Sequence, residues 1–314
     1  MKSKNKQIAI IGAGAWGTAI ANVISNNLEQ VKIWALEKQV ADEINLHHKN
    51  SLYLPNIILN KKIIASNILK EIVDNVDYIF LVTPSKFIEN QVIELKSIIP
   101  PKTPIVICSK GIDEKTGELP HQIISRHLKN PLLVLSGPSF AKEVANGIYT
   151  EVCLAGSSTK IATEIKGYVE TKSFKVKVTK DLIGAEVAGA MKNVIAVACG
   201  ILDGKGEGQN TRAVMITNGL QEMVAITKKM GGAEKTIYNL CGVGDLVLTA
   251  TSTTSRNFSF GVELGRGGKK SIIEKQKKSV AEGVFSCYGL MVLCKKINYN
   301  SKICEFVYEY LQKN

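Results

Sequence analysis

One lysine stands in a stretch that is otherwise small and apolar, Ala188-Gly189-Ala190-Met191-Lys192-Asn193-Val194-Ile195-Ala196. Desolvation disfavours the ammonium form and lowers a lysine's pKa, so Lys192 is placed to exchange a proton near neutral pH. As a helix, the stretch puts Ala188 and Gly189 on the lysine's own face, where a ligand or a neighbouring backbone could come close. A lysine that lays its stem on apolar surface and keeps its ammonium in water fits the same pattern, and the residues alone leave both readings open. Downstream, Gly242-Val243-Gly244-Asp245 puts a carboxylate in a glycine-flanked turn. Thr251-Ser252-Thr253-Thr254-Ser255-Arg256-Asn257 then gathers hydroxyls, a guanidinium and an amide. Such donors suit a phosphate monoester, which a planar guanidinium binds through two parallel hydrogen bonds. A polar surface loop with one arginine would look the same.

A second constellation opens the chain. Gly12-Ala13-Gly14-Ala15-Trp16-Gly17 follows the apolar run Gln7–Ile11 and precedes the helix-compatible Thr18-Ala19-Ile20-Ala21. Between a strand and a helix, this spacing reads as a dinucleotide-binding turn. The first glycine allows the tight turn, the second lets backbone approach a pyrophosphate, and the third lets the helix pack on the strand. The helix N-terminus then stabilises the phosphates. Glu37 lies about 20 residues further on, where an acid accepts hydrogen bonds from the ribose hydroxyls. Its charge would repel a 2′-phosphate and so favours NAD over NADP, although Lys38 could soften that repulsion. A nicotinamide cofactor brings hydride chemistry at a carbonyl, which also needs a proton donor. Histidine is the usual first choice. Here His47, His48, His121 and His127 fall in polar stretches away from strand ends and read as surface residues, so Lys192 is the better candidate.

The elements that must position these groups change along the chain. Near-continuous apolar runs at Gln7–Ile11, Val31–Ala35, Tyr78–Val82, Ile105–Ser109, Leu132–Leu135, Val152–Ala155 and Lys175–Val178 predict strands buried on both faces. Helical patterns such as Trp16–Asn26 and Phe87–Ile98 alternate with them. The expectation is an α/β fold, a Rossmann-type, doubly wound and mostly parallel sheet over residues 1–182. From 183 to 314 long helical patterns take over, at Gly184–Ile201, Thr211–Met230, Val280–Lys296 and Ile303–Lys313, and predict an all-α domain. Ligands of open α/β sheets bind beyond the carboxyl ends of the strands. Thr83-Pro84-Ser85, Lys110-Gly111 and Ser136-Gly137-Pro138-Ser139 should therefore converge near the nicotinamide.

Composition narrows the partners. A net charge of +12 could suggest nucleic acid, but arginine occurs only at 126, 212, 256 and 266, and no basic stripe carries interleaved aromatics, so no nucleic-acid partner is expected. The best apolar run, Val187–Leu202, is cut by Lys192 and Asn193, short of the ~18 uninterrupted residues a span needs. The lysine-bearing N-terminus has too short an apolar run for a secretory signal. Seven cysteines without a C-x-x-C pair predict reduced, buried thiols and no zinc site. These readings place the protein in the cytoplasm, without stable membrane insertion.

Taken together, Gly12–Thr18, Ser109-Lys110-Gly111, Ser136-Gly137-Pro138-Ser139-Phe140-Ala141, Lys192-Asn193, Gly244-Asp245-Leu246, Ser255-Arg256-Asn257 and Val280-Ala281-Glu282-Gly283 closely resemble the bacterial NAD(P)-dependent glycerol-3-phosphate dehydrogenase family, nearly end to end. The resemblance implies interconversion of dihydroxyacetone phosphate and sn-glycerol 3-phosphate, feeding phospholipid synthesis, and a homodimer. It implies Lys192 as proton donor in reduction and acceptor in oxidation. Lys110, Gly137, Ser139, Lys192, Asp245, Ser255, Arg256 and Asn257 would hold the substrate. Gly12, Gly14, Ala15, Trp16, Gly17, Glu37, Lys110, Ala141, Arg256, Val280 and Glu282 would hold the dinucleotide, NAD or NADP. Two departures stand out: many members carry a basic residue where Leu36 stands, and the chain stops soon after Glu305–Leu311, shorter than many relatives, a difference expected to bear on the helical domain's edge or on dimer packing rather than on chemistry. The second reading is a related dehydrogenase of a β-hydroxy acid or sugar phosphate. It shares the glycine loop and a helical lysine but lacks a reason for the Gly244-Asp245 and Ser255-Arg256-Asn257 segments.

Overall fold

A computed structural model describes residues 6–276 and 281–313. Eight strands form one sheet: β1 (Ile8–Ile11), β2 (Val31–Trp34), β3 (Ile63–Ser66), β4 (Tyr78–Leu81), β5 (Ile105–Ile107), β6 (Leu132–Ser136), β7 (Thr150–Gly156) and β8 (Phe174–Thr179), in the order β3-β2-β1-β4-β5-β6-β7-β8. All neighbours run parallel except β6 and β7. The order reverses between β1 and β4, so the glycine loop after β1 sits at the switch point where such sheets bind ligands.

Alternation along the strands builds both faces of this layer. Ile8 and Ile10 of β1 join one apolar cluster with Ile33 and Phe80, while Ala9 and Ile11 join another with Ile79, Leu81 and Ile107. Every residue of β1 and β4 is buried, as strands covered by helices on both faces require. The edge strand β3 was not anticipated. Its four residues alternate, with Ile63 and Ala65 buried and Ile64 44% exposed, and they follow two lysines, so no long apolar run announces them.

The second half is organised on one helix, Leu182–Gly204, buried from Gly184 to Leu202. The Asp181 carboxylate starts it, accepting from the N–H of Gly184 at 2.9 Å and from the N–H of Ala233 at 2.8 Å. By length and composition this is the one helix among the described residues able to cross a membrane, yet 89% of its apolar window is buried inside the protein. It is a core helix. Around it lie Gly208–Lys229, Asp245–Thr251, Arg256–Gly265, Glu282–Lys296 and Lys302–Lys313. A Cβ on Gly261 would sit 2.2 Å from the carbonyl oxygen of Val197, so the Arg256–Gly265 helix crosses the central helix backbone on backbone.

Two expectations need correction here. Asp245 does not lie in an open turn, because it begins a helix after a π-helical segment, Leu240–Gly244. Arg256 and Asn257 do not lie in a loop, because Ser255 caps a helix that begins at Arg256, its hydroxyl accepting from the N–H of Phe258 at 3.3 Å. All seven cysteines are free and buried.

Candidate active site

The loop after β1 is shaped for backbone contact. A Cβ on Gly17 would lie 1.8 Å from the Gly12 carbonyl oxygen, so only glycine lets the first helix, Ala15–Ile24, start against the strand. Gly12 itself has φ +117°, a conformation L side chains rarely adopt. A Cβ on Gly14 would meet nothing within 4 Å, and no side chain caps the helix. The loop therefore leaves space and uncapped N–H groups where a pyrophosphate fits. Ala15, Trp16 and Ala141 are half-buried against one apolar cluster beside it. Glu37 caps the Lys38–His47 helix by position and accepts from the Tyr53 hydroxyl at 2.7 Å, which helps push the Tyr53 phenol up to about 12. Leu36 beside it is 72% exposed.

Two ammonium groups meet one carboxylate at the end of the sheet. Lys192 Nζ donates to Asp245 Oδ1 and to Thr249 Oγ1, each at 2.9 Å, and Lys110 Nζ donates to Asp245 Oδ2 at 2.7 Å. Helical spacing explains the acceptor set. Thr249 stands four residues after Asp245, so its hydroxyl donates to the Asp245 carbonyl at 2.6 Å and turns a lone pair to Lys192. Lys110 also donates to the Gly137 carbonyl at 2.8 Å, which accepts from Ser139 Oγ at 2.9 Å. The stem of Lys110 lies over Gly189, so the small face beside Lys192 admits a neighbouring side chain.

Burial decides the electrostatics. Lys192 is 7% exposed and Asp245 1%. Desolvation brings the Lys192 ammonium down to about 8, against the attraction of Asp245 and with the repulsion of Lys110. At Asp245, burial opposes ionisation, but the charges of Lys110 and Lys192 outweigh it and hold the carboxyl below the usual carboxylate range. Two of the three N–H donors of Lys192 are satisfied internally, and the third has no protein partner among the described residues.

Further expected residues close the ring. Asn257 donates to Asn193 Oδ1 at 2.8 Å and accepts from the N–H of Gly283 at 2.9 Å, while Asn193 donates to the Lys110 carbonyl at 2.8 Å. The amide of Asn257 is thus engaged within the protein. Glu282 accepts from the N–H of Ser85 at 3.3 Å; burial raises its carboxyl, opposed by that bond and by the charges of Arg256, Lys192 and Lys110. Arg256 is exposed at the first turn of its helix and has no ion pair among the described residues. Val280 lies outside the described residues. Sequence reasoning missed Thr249, whose signal was its i+4 spacing from Asp245. It also misjudged His121, which is not a solvated surface residue: its ring Nδ1 contacts buried Glu186.

Comparison with known proteins agrees with this geometry. The family profile described as "NAD-dependent glycerol-3-phosphate dehydrogenase N-terminus" matches residues 7–162, and the corresponding C-terminus profile matches residues 181–314. A glycerol-3-phosphate dehydrogenase [NAD(P)+] of Hyphomonas neptunium is 40% identical over 303 residues, covering 96% of this chain and 90% of that protein. One of Fusobacterium nucleatum is 39% identical over 311 residues, covering 98% and 93%. The crystal structure of glycerol-3-phosphate dehydrogenase from Coxiella burnetii superposes with a TM-score of 0.95 at 34% identity, covering 99% of this chain and 96% of that one. The chain belongs to the NAD-dependent glycerol-3-phosphate dehydrogenase family.

Proposed function

We propose that the protein interconverts dihydroxyacetone phosphate and sn-glycerol 3-phosphate, using NAD or NADP, and so supplies a phospholipid precursor. The observation that carries this reading is the buried carboxylate of Asp245 divided between Lys110 and Lys192. Arg256, on a helix packed directly against the one bearing Lys192, takes the phosphate, with Ser255 holding the helix start. When bound, the dinucleotide would supply the hydride chemistry at C2. In reduction, the two ammonium groups stabilise negative charge developing on the carbonyl oxygen. Lys192 then gives up a proton through its third N–H, and in the reverse direction its neutral amine accepts one. Asp245 keeps the two like charges together, and Lys110 adds the second positive charge. Gly12, Gly14, Ala15, Trp16, Gly17, Ala141 and Glu282 would hold the dinucleotide, with Glu37 favouring NAD.

The same reading divides the chain at residue 182, since the sheet ends at Thr179 and the central helix begins at Leu182. It takes the protein as a cytoplasmic homodimer. A test is NADH oxidation by purified protein with dihydroxyacetone phosphate beside a panel of β-keto acids and sugar phosphates. Turnover confined to dihydroxyacetone phosphate is expected; faster turnover of a keto acid would favour the related dehydrogenases instead.

A further inference from the structure

The segment from Lys110 to His121 leaves the end of β5, yet it is fastened to the helical half. Ile112 and Leu119, 1% and 0% exposed, belong to the same apolar cluster as Met191, Leu290 and Leu293. Its turn lies backbone on backbone against the Glu282–Lys296 helix: a Cβ on Gly117 would sit 2.7 Å from the Leu293 nitrogen, and one on Gly289 2.6 Å from the Asp113 carbonyl oxygen. Lys296 Nζ donates to the Thr116 carbonyl at 2.7 Å.

Both ends of the segment are tied to one face of the central helix. Asn193 holds the Lys110 carbonyl, and seven residues earlier Glu186 holds His121. A seven-residue separation returns to the same helical face. Glu186 is 3% exposed; one of its oxygens accepts from the His121 N–H at 3.0 Å and the other contacts the His121 ring Nδ1. His121 is the titratable group that acts on this carboxyl, which burial raises and the imidazole draws back. A carboxylate left alone there would be costly, so the pair resists separation.

We propose that His121 and Glu186 are positioning residues: by clamping the Lys110–His121 segment to the central helix they keep Lys110 in register with Lys192 and Asp245. Lys110 is then fixed between the Gly137 carbonyl on the sheet side and Asp245 on the helical side, and the clamp sets how closely its ammonium stands to Lys192. The inference rests on the proposed function, because the register matters through the two ammonium groups.

The test uses full-length protein and dihydroxyacetone phosphate reduction. His121 is partly exposed at the start of a helix, so H121A is expected to fold. It is expected to lower kcat about tenfold or more, as a misplaced reacting group does. It should also move the alkaline midpoint of kcat, which the spacing of Lys110, Asp245 and Lys192 sets. H121N puts an amide nitrogen near the place of Nδ1 and is expected to restore most of kcat. H121A with the parent kcat and pH profile, even at a lower Tm, overturns the inference, as does H121N as slow as H121A. An inert parent protein would instead count against the proposed function.

Discussion

Lys192 and Asp245 meet at 2.9 Å with both side chains out of water, and the second oxygen of the same carboxylate is held by Lys110 at 2.7 Å. Removing one member of a buried charge cluster costs more than its attraction is worth, because the partners stay desolvated. D245N leaves two ammonium groups facing each other. We expect it to lose about 3 kcal/mol of stability and to lower the Lys192 pKa further, with dihydroxyacetone phosphate reduction failing at a lower pH than in the parent. Chemical denaturation and a kcat profile check both.

The pH dependence follows from Lys192 itself, held at about 8 chiefly by desolvation. Reduction needs the ammonium, so its rate should fall as pH rises through about 8. Oxidation of glycerol 3-phosphate needs the neutral amine, so its rate should climb through the same window. Initial rates in both directions across that range are the check; parallel profiles would contradict the assignment.

Arg256 is exposed at a helix start with no ion pair among the described residues, as a group reserved for an external anion would be. R256Q is expected to raise KM for dihydroxyacetone phosphate roughly tenfold to a hundredfold, the worth of a charge-assisted hydrogen bond. Turnover of unphosphorylated dihydroxyacetone should change little. Steady-state kinetics with both ketones separate lost phosphate binding from general damage.

Glu37 presents its carboxylate beside the exposed Leu36 and is held there by Tyr53. A second negative charge nearby is unfavourable even in a high-dielectric setting. NADH should be preferred to NADPH, and E37Q should raise kcat/KM with NADPH about tenfold with little effect on NADH.

The sheet and its switch point were legible because buried parallel strands write themselves as apolar runs; Lys192 was legible only as a candidate, because a lysine in an apolar helix can equally reach solvent, and its burial is a property of the fold. Strand β3 was not, since an edge strand of four residues needs no such run. The helical setting of Asp245 and Arg256 was obscured because glycine and hydroxyl clusters signal turns locally, while here packing against the central helix overrides them. His121 was hidden because its partner Glu186 lies 65 positions away in sequence.

The most direct test replaces Lys192 with alanine and measures single-turnover reduction of dihydroxyacetone phosphate on protein saturated with NADH. A fall of about 10²–10⁴ in the rate, with NADH affinity retained, is what proton transfer by this amine requires. A rate close to that of the parent protein would contradict the account.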